Sequence, residues 1–510
     1  MAQLDKDDLA QMNEEYFKSL NQERLVEVAK NLHILATDLW EKQEQNSKNS
    51  SQPPSLDNPY SSKTTTEELN PSSESETKSG QTEWDKTDES DESDELEKKQ
   101  KSKRKPGKQP GSKGFGRSQP LKAEVIIPHY PNLCLACNQQ LRESNAQRYM
   151  GYYVLELEPE LFGFRIVTQL HHYYRTTCSC GHCTHEKPGQ GRVSVVEGRS
   201  QDLKLTEYVL VGAVLATFIA SLGVRYRMSR TKIREFLKDW TNTEVSIGTI
   251  DRCIRETGIA CVPVVEELVE QLQIADILHL DETHWYEKGK LHWLWVAVTT
   301  STAVFQIGSR RKEELSYLVT EAFMGWLISD GYGAYRSYPQ RQRCLAHLIR
   351  KAIAVTGAIN QKAAAIGQWI LDDLRALIAT IADGSEDNHI LRKRMAGLRR
   401  VCHLGKKADH TKLKALAKEI LNDWDAVIAF VKNPELPPTN NEAERALRHA
   451  VIARNISFGT RTSEGSLAYS SLLSVIETCR LRNLNPWNYI AKVLALARQG
   501  INPQPFPICN

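Results

Sequence analysis

Nothing in this 510-residue sequence is apolar for long enough to cross a bilayer. The longest apolar run, around residues 208–222, falls short of the ~20 residues a spanning helix needs and is broken by Gly212, Thr217 and Ser221. Residues 1–11 are polar and acidic, which predicts no secretory leader. Strong net charge is also missing. The 66 Lys and Arg against 63 Asp and Glu leave +3, so partners must be read from where charge sits rather than from its sum. A secreted disulfide framework is excluded by spacing: of eleven cysteines, five fall between Cys134 and Cys183 and the rest are scattered. That distribution favours local metal ligation in a reducing compartment. The expectation is a soluble, cytoplasmic chain of several domains with no membrane partner.

Residues 14–45 read as a helix in which Leu25, Val28, Leu32, Leu35 and Leu39 alternate spacings of three and four, a coiled-coil seam suited to self-association. Residues 46–120 are Ser, Thr, Glu, Lys and Pro with few large apolar side chains, and predict a disordered linker. Its end is basic: residues 98–117 carry nine Lys or Arg and no acid. Lys103, Arg104, Lys105 and Lys108 stand there among Pro106, Gly107, Pro110 and Gly111, which forbid a helix and leave an extended strand able to follow a phosphate backbone. The bland alternative is a solubilising linker.

Residues 121–200 combine β-like runs (152–157 and 164–174) with the cysteine cluster. Cys134 and Cys137 form a CxxC pair, and Cys178-Ser179-Cys180-Gly181-His182-Cys183 follows about forty residues later. Two short-spaced pairs on tight turns supply four thiolates to one tetrahedral Zn²⁺. Cys180 and Cys183 are the favoured second pair, with Cys178 as substitute and His182 and His185 behind them. Residues 203–270 read as helices, with 228–240 and 245–258 resembling a helix-turn-helix whose second helix is capped by Ser246. From residue 274 the pattern changes to three strands (277–285, 291–299, 303–307), a helix (312–322) and a fourth strand (325–330), followed by a mainly helical stretch over 341–432.

Two of these strands carry a carboxylate at a polar end, Asp281 and Asp330. Such groups are costly in a core strand unless paired or metal-bound, although Asp330-Gly331 also suits a plain turn. A third acid is sought near residue 440. Thr439-Asn440-Asn441-Glu442 fits a capping box, whereas Glu444 shares a helical face with Leu447 and Val451 and so points toward the sheet. Glu444 is therefore assigned to metal and Glu442 to capping. Three hard oxygen donors of this kind suit two Mg²⁺ (or Mn²⁺) ions ~4 Å apart, the arrangement that cleaves phosphodiesters. Arg310, Arg311, Lys351, Arg445 and Arg448 are candidate phosphate contacts, Arg445 and Arg448 equally able to pair with acids.

At these residues the chain resembles the IS66 family of bacterial insertion-sequence transposases. The matching text is Leu280-Asp281-Glu282-Thr283, Trp293-Leu294-Trp295, Asp330-Gly331-Tyr332-Gly333-Ala334-Tyr335, Cys344-Leu345-Ala346-His347 with Arg350-Lys351, Asn440-Asn441-Glu442-Ala443-Glu444-Arg445, Glu477-Thr478, and Asn485-Pro486-Trp487-Asn488-Tyr489. The resemblance implies a multidomain α+β chain: an N-terminal coiled-coil helix, a disordered linker, a small zinc-binding β module, a helical segment, then a ribonuclease H-like α/β catalytic domain over 274–460 with a helical insertion at about 353–435, and a helical region over 461–510. It implies DDE chemistry by Asp281, Asp330 and Glu444 on double-stranded DNA, both element ends and target. It also implies an assembly of at least a dimer, a bacterial nucleoid location, and in some elements small accessory proteins. Cys344 and His347 match a family motif but read as structural, since one CxxH pair lacks two partners for zinc. The rival reading is a non-catalytic relic that binds DNA as a repressor or architectural protein.

Overall fold

A computed structural model describes residues 121–160, 163–193, 203–358, 360–383, 388–503 and 505–507, together with scattered helical residues between Gln22 and His33. Leu25, Val28 and Leu32 of the leucine seam are helical, while Leu35 and Leu39 lie outside the described residues. So does the linker over 46–120, with Lys103, Arg104, Lys105 and Lys108.

The first module is a sheet of β1 (Val125–His129), β2 (Ala146–Glu160), β3 (Gly163–Thr177) and β4 (Cys183–His185). β3 is central, parallel to β1 and antiparallel to β2 and β4. A two-stranded ribbon follows, β5 (Gln190–Val193) with β6 (Leu203–Thr206). Four helices come next: α1 (Ala213–Val224), α2 (Arg230–Thr241), α3 (Ile247–Ala260) and α4 (Val262–Gln273). The β module is tied to α1 by Glu156, whose carboxylate accepts the Leu215 N–H at 2.8 Å, doing the capping that Gly212 at the N-cap cannot. Ser229 and Ser246 cap α2 and α3, each accepting an N–H from the first turn.

The second sheet has five strands: β7 (Ile277–Glu287), β8 (Lys290–Val298), β9 (Ala303–Gly308), β10 (Trp326–Ser329) and β11 (Arg341–Arg343). Their order is β11-β10-β7-β8-β9, antiparallel across β7, β8 and β9, and parallel from β7 through β10 to β11. Lys288 and Gly289 turn β7 into β8 with positive φ at both, the geometry that matches strand twist in a two-residue hairpin. The helix α5 (Lys312–Leu318) joins β9 to β10. It stops four residues earlier than the sequence pattern predicts, because Thr320 N–H is taken by Gln273 Oε1. The fifth strand, β11, falls in a stretch whose pattern predicts helix.

After β11 the chain leaves the sheet for α6 (Leu345–Thr356), α7 (Gln361–Ala382), α8 (Asn388–Lys406) and α9 (Thr411–Asn422), and for two short turns of helix, Trp424–Val427 and Ala429–Lys432. These build their own apolar core around Leu348, Ile370, Leu374, Leu398, Leu416 and Phe430. The chain returns through α10 (Asn441–Ser457), then α11 (Ser463–Leu481) and α12 (Pro486–Gln499). The neck is pinched where Leu345 N–H donates to Pro438 O at 2.9 Å. The sheet, the four helices ahead of it and the last three helices share one core, so residues 203–270 and 461–510 are packed as part of the sheet's surroundings. The second helix of the expected helix-turn-helix is spent on that core. α3 buries Ile250, Cys253, Ile254 and Ile259, and a Cβ on Gly258 would sit 2.4 Å from Ala468 O of α11. Ile247 and Gly248 of its first turn face out, as does Arg252 in the second.

Candidate functional site

Asp281 lies in the middle of β7 and Asp330 directly follows β10, the strand beside it. Glu444 projects from the first turn of α10. What brings that turn to the sheet is Asn440: its side-chain oxygen meets His279 Nδ1 at 3.1 Å, its amide donates to Leu280 O at 2.7 Å, and its backbone N–H reaches Cys344 Sγ at 3.2 Å. The expected capping box is therefore not formed. The helix starts at Asn441 with Asn440 as N-cap, that side chain is turned to the strand, and Glu442 is exposed and paired with Arg445 at 3.2 Å.

Asp281, Asp330 and Glu444 line a single cavity of about 790 Å³, with Glu282, Arg310, His347, Arg350 and Lys351 among its other walls. Leu447 and Val451, the face predicted to carry Glu444 inward, line it too. Burial, then the charges of Asp330, Glu282 and Glu444, hold the Asp281 carboxyl well above the usual carboxylate range. Glu282 is raised in the same way by burial and by Asp330, against the pull of Tyr335 OH and Arg310. The three acids do not crowd onto one point. Arg350 Nη2 holds Glu444 Oε1 at 3.0 Å, and Tyr332 N–H occupies Asp330 Oδ1 at 2.8 Å. The close three-donor group that involves Glu444 is instead Cys344, His347 and Glu444, whose ligand atoms lie within 4.8 Å of one another. His347 is kept neutral: burial, then Arg350, Arg343 and Lys351, lower it to about 3. Its buried Nδ1 has no hydrogen-bond partner.

The candidate cations separate into two sets. Arg310 lies over Trp293 and Tyr332, 4.0 and 4.2 Å from the ring centres, and donates to Glu282 at 2.7 Å. Lys351 and Arg448 also line the cavity, Lys351 bound to Glu419 at 2.8 Å. Arg311 and Arg445 are exposed and away from the lining. Sequence reasoning missed Glu282, Arg343 and Arg350. Arg343 is 1% exposed, binds Glu419 and Asp423, and packs so closely on Gly331 that a Cβ there would meet its guanidinium. Its only sequence signal was alternation in Arg341-Gln342-Arg343.

The cysteine cluster is a separate centre. The Sγ atoms of Cys134, Cys137, Cys178 and Cys180 lie within 4.8 Å of one another, with 3.6 Å between Cys134 and Cys180 and between Cys137 and Cys178. Cys183 is not in the group, which corrects the preference for Cys180 with Cys183 over Cys178. The reason is local. Cys183 opens β4 as the partner of Thr177, while the chain between them turns through Gly181 at φ 84 and carries Cys178 and Cys180 together. Burial pushes the Cys134 thiol up, but the N–H groups of Ala136 and Cys137 and the neighbouring Cys180 thiol outweigh it and bring it down to about 6. Four thiols this close, one already favoured as thiolate, are a donor set that could hold a metal ion, and all-thiolate sets of this kind suit Zn²⁺.

Fold and cavity together define a mixed α/β protein in which an acid-lined cavity opens beside a five-stranded sheet, with a cysteine-rich module ahead of it. The chain belongs to the Transposase IS66 family, whose model matches residues 209–468, just over half its length. Three proteins of Sinorhizobium fredii are similar over shorter stretches. Uncharacterized protein y4jD is 27% identical over 192 residues, 34% of this chain and 38% of the relative. Uncharacterized protein y4jO is 33% identical over 79 residues, 16% and 25%. Uncharacterized protein y4hP is 36% identical over 76 residues, 15% and 14%. The chain thus spans well under half the length of these relatives. No helix among the described residues is long and apolar enough to cross a membrane.

Proposed function

We propose that this chain is a DDE-type DNA transposase that binds the terminal inverted repeats of an insertion sequence, cuts at its ends and joins them to target DNA. The observation that carries the reading is the meeting of Asp281, Asp330 and Glu444, far apart in sequence, in one cavity. The strand order supports a ribonuclease H-like catalytic domain, with the first acid on the central strand and the second at the end of its parallel neighbour. The donor set fits a hard divalent cation: all ligands are carboxylate oxygens, and Asp281 is buried against three further acids whose repulsion a cation relieves. Mg²⁺ or Mn²⁺ held by Asp281, Asp330 and Glu444 supplies Lewis-acid stabilisation of charge on the attacking and leaving oxygens.

The chain's own residues set the rest. Arg350 fixes Glu444, and Asn440 fixes the turn that carries it. Arg310, clamped between two rings, and Lys351 and Arg448 face the cavity as phosphate contacts. Water attacks the phosphodiester at an element end, the P–O3′ bond breaks, and the 3′-oxygen leaves with a proton. That 3′-hydroxyl then attacks a target phosphodiester, so one bond is exchanged for another and no protein nucleophile is needed. The four cysteines hold a structural Zn²⁺, the basic linker follows DNA, and two chains or more join the two ends.

The test is cleavage of DNA bearing the element's ends in Mg²⁺, comparing wild type with Asp281→Asn, Asp330→Asn and Glu444→Gln. Each is expected to lose ~10²–10³-fold in rate, equivalent to ~3–4 kcal/mol of barrier. Undiminished cutting removes that residue from the catalytic set, and no cutting by wild type with intact ends favours the DNA-binding relic.

A further inference from the structure

A second cavity of about 530 Å³ lies next to the acidic one along α10. Val451 and Ile452 line the first, and Ala453, Ile456 and Ser457 line the second. Its walls carry Arg227, Arg230, Arg255 and Arg461, against Asp251 and Glu464. Arg230 and Arg255 are paired with those acids. Arg227 is not: it meets the ring of His449 at 3.0 Å, and burial and the charges of Arg225, Arg227 and Arg448 hold that ring at about 4, neutral near pH 7. Arg461 is exposed, with no ion pair among the described residues. Two helices begin on this cavity, α2 at Ser229 and α11 at Thr462. Each N-cap hydroxyl satisfies one N–H and leaves the other first-turn donors to an external acceptor.

Two further observations point to a ligand. Tyr469 stacks on Trp285 at 4.9 Å in the wall of the same cavity, and its buried hydroxyl has no hydrogen-bond partner. Between the lining residues Ser457 and Gly459 stands Phe458, 76% exposed and in the left-handed region at φ 58. A bulky residue held there costs energy unless its surroundings enforce it. The end of α10 enforces it: Phe458 is the C-cap, its N–H donating to Arg454 O at 2.8 Å, and Gly459 after it, at φ 100, lies so close to the Tyr286 carbonyl oxygen that a Cβ would collide. Ile456, 59% exposed, and Tyr226, 61% exposed, add apolar surface beside the same arginines.

We propose that this groove is a second DNA site, in which Arg227, Arg461 and the two helix starts clamp backbone phosphates while Phe458 stacks on or wedges against a base. Cations and helix N-termini alone would suit any phosphate. The exposed aromatic beside them selects a nucleic acid, because bases offer the stacking face that inorganic phosphate lacks. The ligand class rests on the transposase reading, and the adjacency along α10 gives one DNA molecule a path between the two cavities.

The experiment is fluorescence anisotropy of the full-length protein with a labelled random-sequence duplex, in EDTA, across a salt series. Arg227→Ala with Arg461→Ala is expected to weaken binding about tenfold or more and to lower the slope of log K against log salt by about 2, one for each phosphate no longer neutralised. Phe458→Ala is expected to weaken binding about tenfold with the slope unchanged, since it touches no phosphate. Where Arg227→Ala lowers the unfolding midpoint, Arg461→Ala alone, at an exposed position, carries the measurement with a slope change of about 1. Affinity and slope equal to wild type in the arginine variants overturn the groove, as does a wild type that does not bind the duplex. Binding with these slopes by a protein that never cuts DNA supports the groove and overturns only the enzymatic reading.

Discussion

Replacing Cys178 by Ser should cost the cysteine-rich module its metal, whereas replacing Cys183 should not. The two thiols are five residues apart, and spacing alone makes Cys183 the natural partner of Cys180. The geometry reverses this, with Cys178 Sγ 3.6 Å from Cys137 Sγ while Cys183 is placed by its ladder to Thr177. A structural zinc site in a small module is worth roughly 10–16 kcal/mol of apparent binding energy at neutral pH. Dividing this among four thiolates gives about 3–4 kcal/mol each, or a ~10²–10³-fold loss in zinc affinity for one ligand removed. Cys183→Ser leaves all four donors and should stay within about threefold of wild type, the scale of a surface or strand substitution of ~0.5 kcal/mol. Competition against a chromophoric chelator on the purified full-length protein reads both affinities. The thermal midpoint with and without the chelator shows whether metal and folding are linked. Retention of wild-type affinity by Cys178→Ser, with loss in Cys183→Ser, would refute the reasoning and restore the CxxC pair.

Three further outcomes are expected. Arg343→Met should destabilise the protein by about 1–3 kcal/mol in chemical denaturation, because Glu419 and Asp423 would each lose a buried charged donor while keeping Lys351 and Arg341 as partners. Gly258→Val should lower stability by at least ~1–3 kcal/mol, read the same way, since its side chain would enter the backbone of Ala468. The third concerns pH. His449 binds its proton less readily folded, at about 4, than unfolded, at the ordinary 6.5, so the unfolded chain takes up more protons between these values. Its contribution to stability is therefore complete above about 6.5, falls as pH drops through that window, and is lost below about 4. His449→Gln should flatten that part of the midpoint-against-pH curve, and an unaltered curve would count against the assignment.

Much of the candidate site was legible because strands announce themselves. The apolar runs before Asp281 and Asp330 locate both strand positions, and the Glu444-Leu447-Val451 face gives the helix its orientation. What was not legible depends on distant partners. β11 reads as polar, Arg341-Gln342-Arg343, and becomes a buried strand only because Asp423 and Glu419 meet its arginines and Gln342 Oε1 accepts the Phe430 N–H at 2.7 Å. The capping box at residue 439 satisfied every local rule, yet Asn440 is claimed by β7. The helix pair at 230–260 shows amphipathic spacing that fits groove-reading and core-packing equally, and α11 decides for the core. Glu282 follows Asp281 immediately, so alternation along a strand would send it to the opposite face. Its carboxylate reaches the cavity all the same, through Arg310 and Tyr335.

Asn440 carries an implication for how the distance between the first and third acids is set. One side-chain amide bridges two segments separated by 160 residues: its oxygen faces His279 and its nitrogen faces Leu280, the residues just before Asp281, while Glu444 follows one helical turn later. The separation of the two carboxylates is thus gauged by one side chain from the strand side, while Arg350 holds Glu444 from the first helix of the insertion. Asparagine alone among side chains of that length offers a donor and an acceptor at the required spacing. Aspartate there would present an oxygen to the Leu280 carbonyl and push strand and helix apart, changing the gap without touching either acid.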